Sequence, residues 1–83
     1  LPDPRRATAI IDPPRDGLAP EVAQALAASG VRRIFYVACD PATLARDLAV
    51  FLRGGYHLRR AKLFDMFPRT AHFESLVELG APA

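Results

Sequence analysis

Tyr36-Val37-Ala38-Cys39-Asp40-Pro41 is the stretch that decides the fold: an apolar run ends at the only cysteine of the sequence and passes at once into a helix start. Ile34-Phe35-Tyr36-Val37 is rich in β-branched and aromatic residues, so positions 31–39 are expected to form a buried strand. Asp40 has the side chain of an N-cap. Pro41 suits the first helical position, where its missing N–H forfeits no bond and its fixed φ is already helical. A strand that runs directly into a helix is a building unit of α/β folds.

The same unit recurs upstream. Residues 7–11 form a short apolar run closed by Asp12-Pro13-Pro14 and read as a buried parallel strand, because two prolines in a row cannot continue a ladder. Arg15-Asp16-Gly17 supplies turn chemistry. Leu18, Val22 and Leu26 then recur at four-residue spacing beside Ala23 and Ala25, which predicts a helix with Pro20 in its first turn, Glu21 at the positive end of its dipole and Ser29-Gly30 at its end.

Downstream of Pro41 the second helix carries Leu44, Leu48, Phe51 and Leu52 on one face and Arg46, Asp47 and Arg53 on others, and Gly54-Gly55 stops it. Residues 56–66 are a third extended stretch, mixed enough in polarity for a sheet edge. Residues 67–71 are a loop, and 72–79 a last strand before a Gly/Pro tail. Strand, helix, strand, helix, strand, strand predicts an α/β fold with parallel strands, right-handed crossovers and a final antiparallel strand: the second half of an open sheet. Ligands of such sheets sit beyond the carboxyl ends of the parallel strands, where Asp12 and Cys39 both fall.

A chain of 83 residues makes at most one small domain with a thin core, since domains of this size bury only about 60% of the surface the unfolded chain exposes. With 51% hydrophobic and 24% charged residues, the composition is that of a globular protein rather than a disordered one. One cysteine permits no internal disulfide and lacks zinc-site spacing, so no metal site is expected and a reducing compartment fits. No apolar run approaches the roughly 18 residues of a membrane span, and no signal pattern opens the chain; a soluble, cytoplasmic protein is the expectation. Net charge is +2, but like charges cluster at Arg5-Arg6, Arg32-Arg33 and Arg59-Arg60 with Lys62, as suits either phosphate contacts or a solvated face. The opening Leu1-Pro2-Asp3-Pro4 has no initiator Met and leads at once to a strand, as in a fragment of a longer protein.

Cys39, taken alone, fits an inert buried thiol better than a reactive one, and its place at a strand end before a helix shifts that balance. The helix start attracts negative charge to it, and the Asp40 carboxylate beside it works the other way. Asp12, held by two prolines, is either a turn residue or a rigidly presented carboxylate. Glu74 in the last strand faces solvent unless a partner lets it be buried, and His72 points to the same side of that strand.

Ile11-Asp12-Pro13-Pro14-Arg15-Asp16-Gly17-Leu18, then Tyr36 to Pro41 with Thr43-Leu44-Ala45-Arg46-Asp47-Leu48, then Asp65-Met66-Phe67-Pro68 with Thr70, His72 and Glu74, resemble the successive motifs of the RNA 5-methyluridine methyltransferase family. The resemblance spans nearly all of the chain, in order. The family patterns are Asp-Pro-Pro-Arg-x-Gly, Ser-Cys-Asn-Pro and His-x-Glu; here the second is Ala38-Cys39-Asp40-Pro41, which keeps an N-cap, lacks one hydroxyl and adds one charge.

The resemblance implies a Rossmann-like class I methyltransferase sheet. Residues 1–83 would be a single partial domain, the C-terminal half of the catalytic domain, with the cofactor-binding N-terminal half absent. It further implies Cys39 as nucleophile, Glu74 as base and Asp12 as a ligand to S-adenosylmethionine. The reaction implied is methylation of carbon 5 of a uridine in tRNA or rRNA through a covalent cysteine-uracil intermediate, the nucleotide being flipped into the site. The implied partners are RNA and the N-terminal part of the same protein, with no membrane, and the fragment is expected to be inactive alone. Two other readings stay open: a non-catalytic RNA-binding module that retains the fold, favoured by Ala38 and Asp40, and a structural α/β fragment with coincidental motifs.

Overall fold

The computed structural model describes residues 4–14, 16–64 and 74–82. Arg15, Asp65 and Met66 at the end of the expected third strand, the loop 67–71, and His72 and Phe73 of the expected last strand lie outside the described residues. The elements are β1 (Thr8–Ile11), α1 (Pro20–Ala27), β2 (Arg33–Ala38), α2 (Pro41–Arg53), β3 (His57–Phe64) and β4 (Glu74–Gly80). They follow the predicted order, preceded by an unforeseen single 3-10 turn at Pro4–Arg6.

The helix starts follow from local chemistry. Asp40 is extended (φ −138°, ψ 122°) and accepts a hydrogen bond from the Ala42 N–H at 3.1 Å, and Pro41 follows in the first turn. α1 has Pro20 in its first turn but no side-chain cap on Ala19, so its eight residues depend on packing through Ala23, Leu26 and Ala27.

The strands form one sheet in the order β1-β2-β4-β3. β1 and β2 are parallel, with Ile11 opposite Tyr36, and β4 is antiparallel to both β2 and β3, so β3 runs in the same direction as β1 and β2. The expected antiparallel final pair and the edge position of residues 57–64 are both present. Not foreseen is the insertion of β4 between β2 and β3. The α2 crossover carries the chain one strand position past β2, and β4 returns to fill the slot.

The core is built from alternate residues. Ile34, Tyr36 and Ala38 of β2 and Val77 and Leu79 of β4 are buried together with Phe51 of α2 and Tyr56. Phe51 meets Tyr36 and Tyr56 edge to face, with ring centroids 6.5 and 6.4 Å apart. Ala9 and Ile11 pack against this cluster, while Thr8 and Ile10 point away from it and Ile10 is 77% exposed. Among the described residues, β1 and β2 bury one face of the sheet, the one packed against the core-facing residues of α1 and α2.

The helix faces also need correction. Asp47, read as part of a polar face, is 2% exposed, and Leu52, read as apolar-face, is 48% exposed. Asp47 lies three residues after Leu44 and four before Phe51, so it belongs to the core-facing stripe; Leu52 lies one position beyond that stripe.

Candidate functional site

Three of the sequence-predicted groups come to one rim of the sheet. Asp12 is the first residue beyond β1 and Cys39 the first beyond β2, on adjacent parallel strands. Ala38 pairs with Ser75 across β2 and β4, so the next step of the same antiparallel register sets Glu74 level with Cys39; on its other side Glu74 pairs with Phe64 of β3. Residues 35 positions apart are thus neighbours because β4 lies between β2 and β3. Asp12, Cys39 and Glu74 are all exposed, and Cys39 is a free thiol rather than a buried one.

Behind this rim lies a polar cluster that joins the turn after Asp12 to α2. The Gly17 N–H donates to the Pro14 carbonyl at 2.8 Å and closes the turn. Gly17 has φ +79°, and a Cβ built on it would stand 2.5 Å from Arg46 Nη2 and 2.8 Å from Asp47 Oδ2. Glycine is required there both for the backbone and for the space. The Leu18 N–H donates to Asp47 Oδ2 at 3.0 Å, and the Tyr36 hydroxyl donates to the same oxygen. Arg46 donates through Nη2 to the Asp16 carbonyl at 2.5 Å and to the Leu18 carbonyl at 3.3 Å, while its Nε lies 3.5 Å from Asp47 Oδ1. A buried carboxylate is tolerated when it is paired and hydrogen-bonded, and here Oδ2 accepts two hydrogen bonds while the Arg46 guanidinium lies beside Oδ1. Burial, then the hydrogen bond and charge of Asp47, raise the Tyr36 phenol well above its ordinary value of 10.0.

Two of the basic pairs lead to a second polar cluster. Glu78 on β4, its side chain 14% exposed, lies 3.2 Å from Arg33 Nε, 3.2 Å from Arg59 Nε and 3.8 Å from Arg60 Nε. These arginines are thus engaged by a carboxylate on the middle strand, which qualifies their reading as phosphate contacts. Cross-strand spacing alone could not reveal this before β4 was known to separate β2 from β3.

Hollows of about 480 Å³ between the ends of α1 and α2 (Gln24, Ala27, Val50, Arg53) and about 440 Å³ beside Phe35, Leu76 and Glu78 do not include Asp12, Cys39 or Glu74. The rim is an open edge carrying a thiol and two carboxylates. It can supply a nucleophile, a proton acceptor and one anionic hydrogen-bond acceptor, a set that fits one contact to an amine-bearing or hydroxyl-bearing cofactor. Among the described residues no group of three His, Cys, Asp or Glu side chains could hold a metal ion, and no helix is long and apolar enough to cross a membrane. Sequence reasoning missed Tyr36, Asp47 and Gly17 as a unit. The available signal was a carboxylate at helical spacing within an apolar stripe.

A family profile described as tRNA (uracil-5-)-methyltransferase matches residues 2–81. The chain is 53% identical over 70 residues to an uncharacterized RNA methyltransferase of Streptomyces coelicolor, covering 84% of this chain and 15% of that protein. It is 55% identical over 67 residues to the 23S rRNA (uracil(1939)-C(5))-methyltransferase RlmD of Pseudomonas fluorescens, covering 81% of this chain and 14% of the relative. In three dimensions it is similar to the crystal structure of Pyrococcus abyssi tRNA (uracil-54, C5)-methyltransferase in complex with S-adenosyl-L-homocysteine. The TM-score is 0.77 and the identity 39%, over 87% of this chain and 18% of the other.

Proposed function

The chain belongs to the tRNA (uracil-5-)-methyltransferase family, and from that premise we propose that it is the C-terminal half of the catalytic domain of an S-adenosylmethionine-dependent enzyme that methylates carbon 5 of a uridine in tRNA or rRNA. The observation that carries this is the strand register, in which Glu74 of β4 falls level with Cys39 while Asp12 ends the adjacent strand. The named substrates of the relatives, uracils of ribosomal and transfer RNA, support the substrate class.

Carbon 5 of uracil is a poor nucleophile until a group adds at carbon 6. The Cys39 thiolate forms a bond to carbon 6, and the electrons of the 5,6 double bond move toward the carbon 4 oxygen, leaving carbon 5 nucleophilic. S-adenosylmethionine, when bound, supplies a methyl group on a sulfonium that carbon 5 can attack. Glu74 then takes the proton from carbon 5, the double bond re-forms and the bond to Cys39 Sγ breaks, returning the thiolate. With S-adenosylmethionine bound, Asp12 would accept a hydrogen bond from it and so help to hold the cofactor. A base stacked in folded RNA cannot reach this rim, so the nucleotide is flipped out before attack.

The chain spans about 15% of the length of its curated relatives, and the 83 residues alone are expected neither to bind S-adenosylmethionine in the micromolar range nor to methylate RNA. Calorimetric titration tests this, and micromolar binding by these residues alone would count against it. The main test is trapping. The full-length protein should form a covalent adduct with RNA containing 5-fluorouridine, whose carbon 5 carries no removable proton, and Cys39→Ala should abolish it. An undiminished adduct in the variant overturns the assignment of Cys39. RNA binding with no adduct in the wild type favours a non-catalytic module, the reading to which Ala38 and Asp40 lend weight.

A further inference from the structure

We propose that Arg46 and Asp47 of α2 form a positioning clamp that holds the Asp16-Gly17-Leu18 turn, and through it Asp12, in a set geometry relative to the Cys39 end of β2. The assignment of roles to Asp12 and Cys39 rests on the function proposed above.

One carboxylate oxygen makes the central link. Asp47 Oδ2 accepts the Leu18 N–H at 3.0 Å from the turn after β1, and it also accepts the hydroxyl of Tyr36, three residues before Cys39 on β2. The turn after β1 and the C-terminal half of β2 are thereby tied to a single buried carboxylate on the helix that starts directly after Cys39. Arg46 completes the clamp from the solvent side. Its guanidinium donates to the Asp16 carbonyl at 2.5 Å and the Leu18 carbonyl at 3.3 Å, with Nε 3.5 Å from Asp47 Oδ1.

The path from the clamp to Asp12 is short and stiff. Gly17 fills the space against Arg46 and Asp47 and donates its N–H to the Pro14 carbonyl at 2.8 Å. Pro14 and Pro13 have fixed φ and adjoin Asp12 directly. A shift of the turn is therefore passed to the Asp12 carboxylate rather than absorbed. Cys39 lies between Ala38, the last residue of the β2 ladder, and the Asp40 cap, and Arg46 touches neither, so loss of Arg46 moves the cofactor-facing group and leaves the thiol in place. Neither Arg46 nor Asp47 reaches a reacting atom; both act through the turn.

The test uses Arg46→Ala and Arg46→Lys in the full-length protein, because the Arg46 side chain is 55% exposed and its removal leaves the core intact. In Arg46→Ala, hydrogen exchange of the Gly17 and Leu18 amides is expected to rise about tenfold, and the KM for S-adenosylmethionine to rise about tenfold, because charge-assisted bonds to two carbonyls are lost. The rate of Cys39 alkylation by iodoacetamide should stay at the wild-type value. Arg46→Lys restores the charge but not the planar fork, and should recover part of the KM. Unchanged exchange at residues 17 and 18, or a variant that binds cofactor as well as the wild type, overturns the clamp. So does faster alkylation of Cys39 in parallel with faster exchange, the signature of general loosening. A wild-type protein that binds no S-adenosylmethionine overturns the functional premise, and the positioning role with it.

Discussion

Ala38 stands directly across from Ser75 in the antiparallel pairing of β2 with β4, and the Ser75 hydroxyl is buried without a hydrogen-bond partner among the described residues. Both residues are buried, at 3% and 6% exposure. The family pattern places a serine where this chain has Ala38, and paired hydroxyls on facing strands can bond one another. Ala38→Ser is therefore expected to stabilise the protein by about 1 kcal/mol, read as a raised denaturant midpoint. A lowered midpoint would mean that the added oxygen finds no room or no partner.

On the mechanism proposed above, Glu74→Gln is expected to separate attack from release. The amide would not take the carbon 5 proton, whereas the proposed addition of Cys39 to carbon 6 would remain. Turnover is expected to fall about 100- to 10,000-fold, while a covalent complex with ordinary uridine RNA accumulates and carries the transferred methyl group. Loss of turnover with no such complex on denaturing gels would assign Glu74 an earlier role.

The Tyr36 hydroxyl and the Asp47 carboxylate make stability depend on alkaline pH. Below the ordinary tyrosine value of 10.0 the phenol is protonated in folded and unfolded chains alike, and its contribution is complete. Above it the unfolded chain releases the proton while the folded chain, with the phenol raised by burial and by Asp47, retains it; stability therefore falls as pH rises past about 10. Tyr36→Phe should lower the denaturant midpoint at neutral pH by the equivalent of about 1–3 kcal/mol, since Asp47 loses a donor, and should flatten the decline above about pH 10. Parallel declines in the two proteins would show that another group controls it.

Gly17→Ala combines backbone and steric strain. The position has φ +79°, and the new methyl would lie 2.5 Å from Arg46 Nη2 and 2.8 Å from Asp47 Oδ2. Arg46 can swing away, but Asp47 is buried and held by Tyr36 and Leu18. A loss of about 2 kcal/mol or more is expected, together with weaker cofactor binding in the full-length protein. A midpoint equal to that of the wild type would show that the turn relaxes without cost.

What the amino-acid sequence determined by itself was local. Asp40-Pro41 defines a helix start through one side-chain acceptor and one fixed φ, and Ile34-Phe35-Tyr36-Val37 defines a strand through branched and aromatic packing. These features act over a few residues, so element order and the strand-end placement of Asp12 and Cys39 were legible without a sheet. Relations that span the chain were decided only by the tertiary structure. Glu74 is level with Cys39 because β4 enters between β2 and β3, and nothing in residues 74–80 specifies which two strands they separate. Asp47 is a core residue because Leu18 and Tyr36, 29 and 11 positions away, bring an N–H and an O–H to it. A carboxylate in a helix is polar by its own chemistry, and only donors supplied by distant segments make its burial affordable.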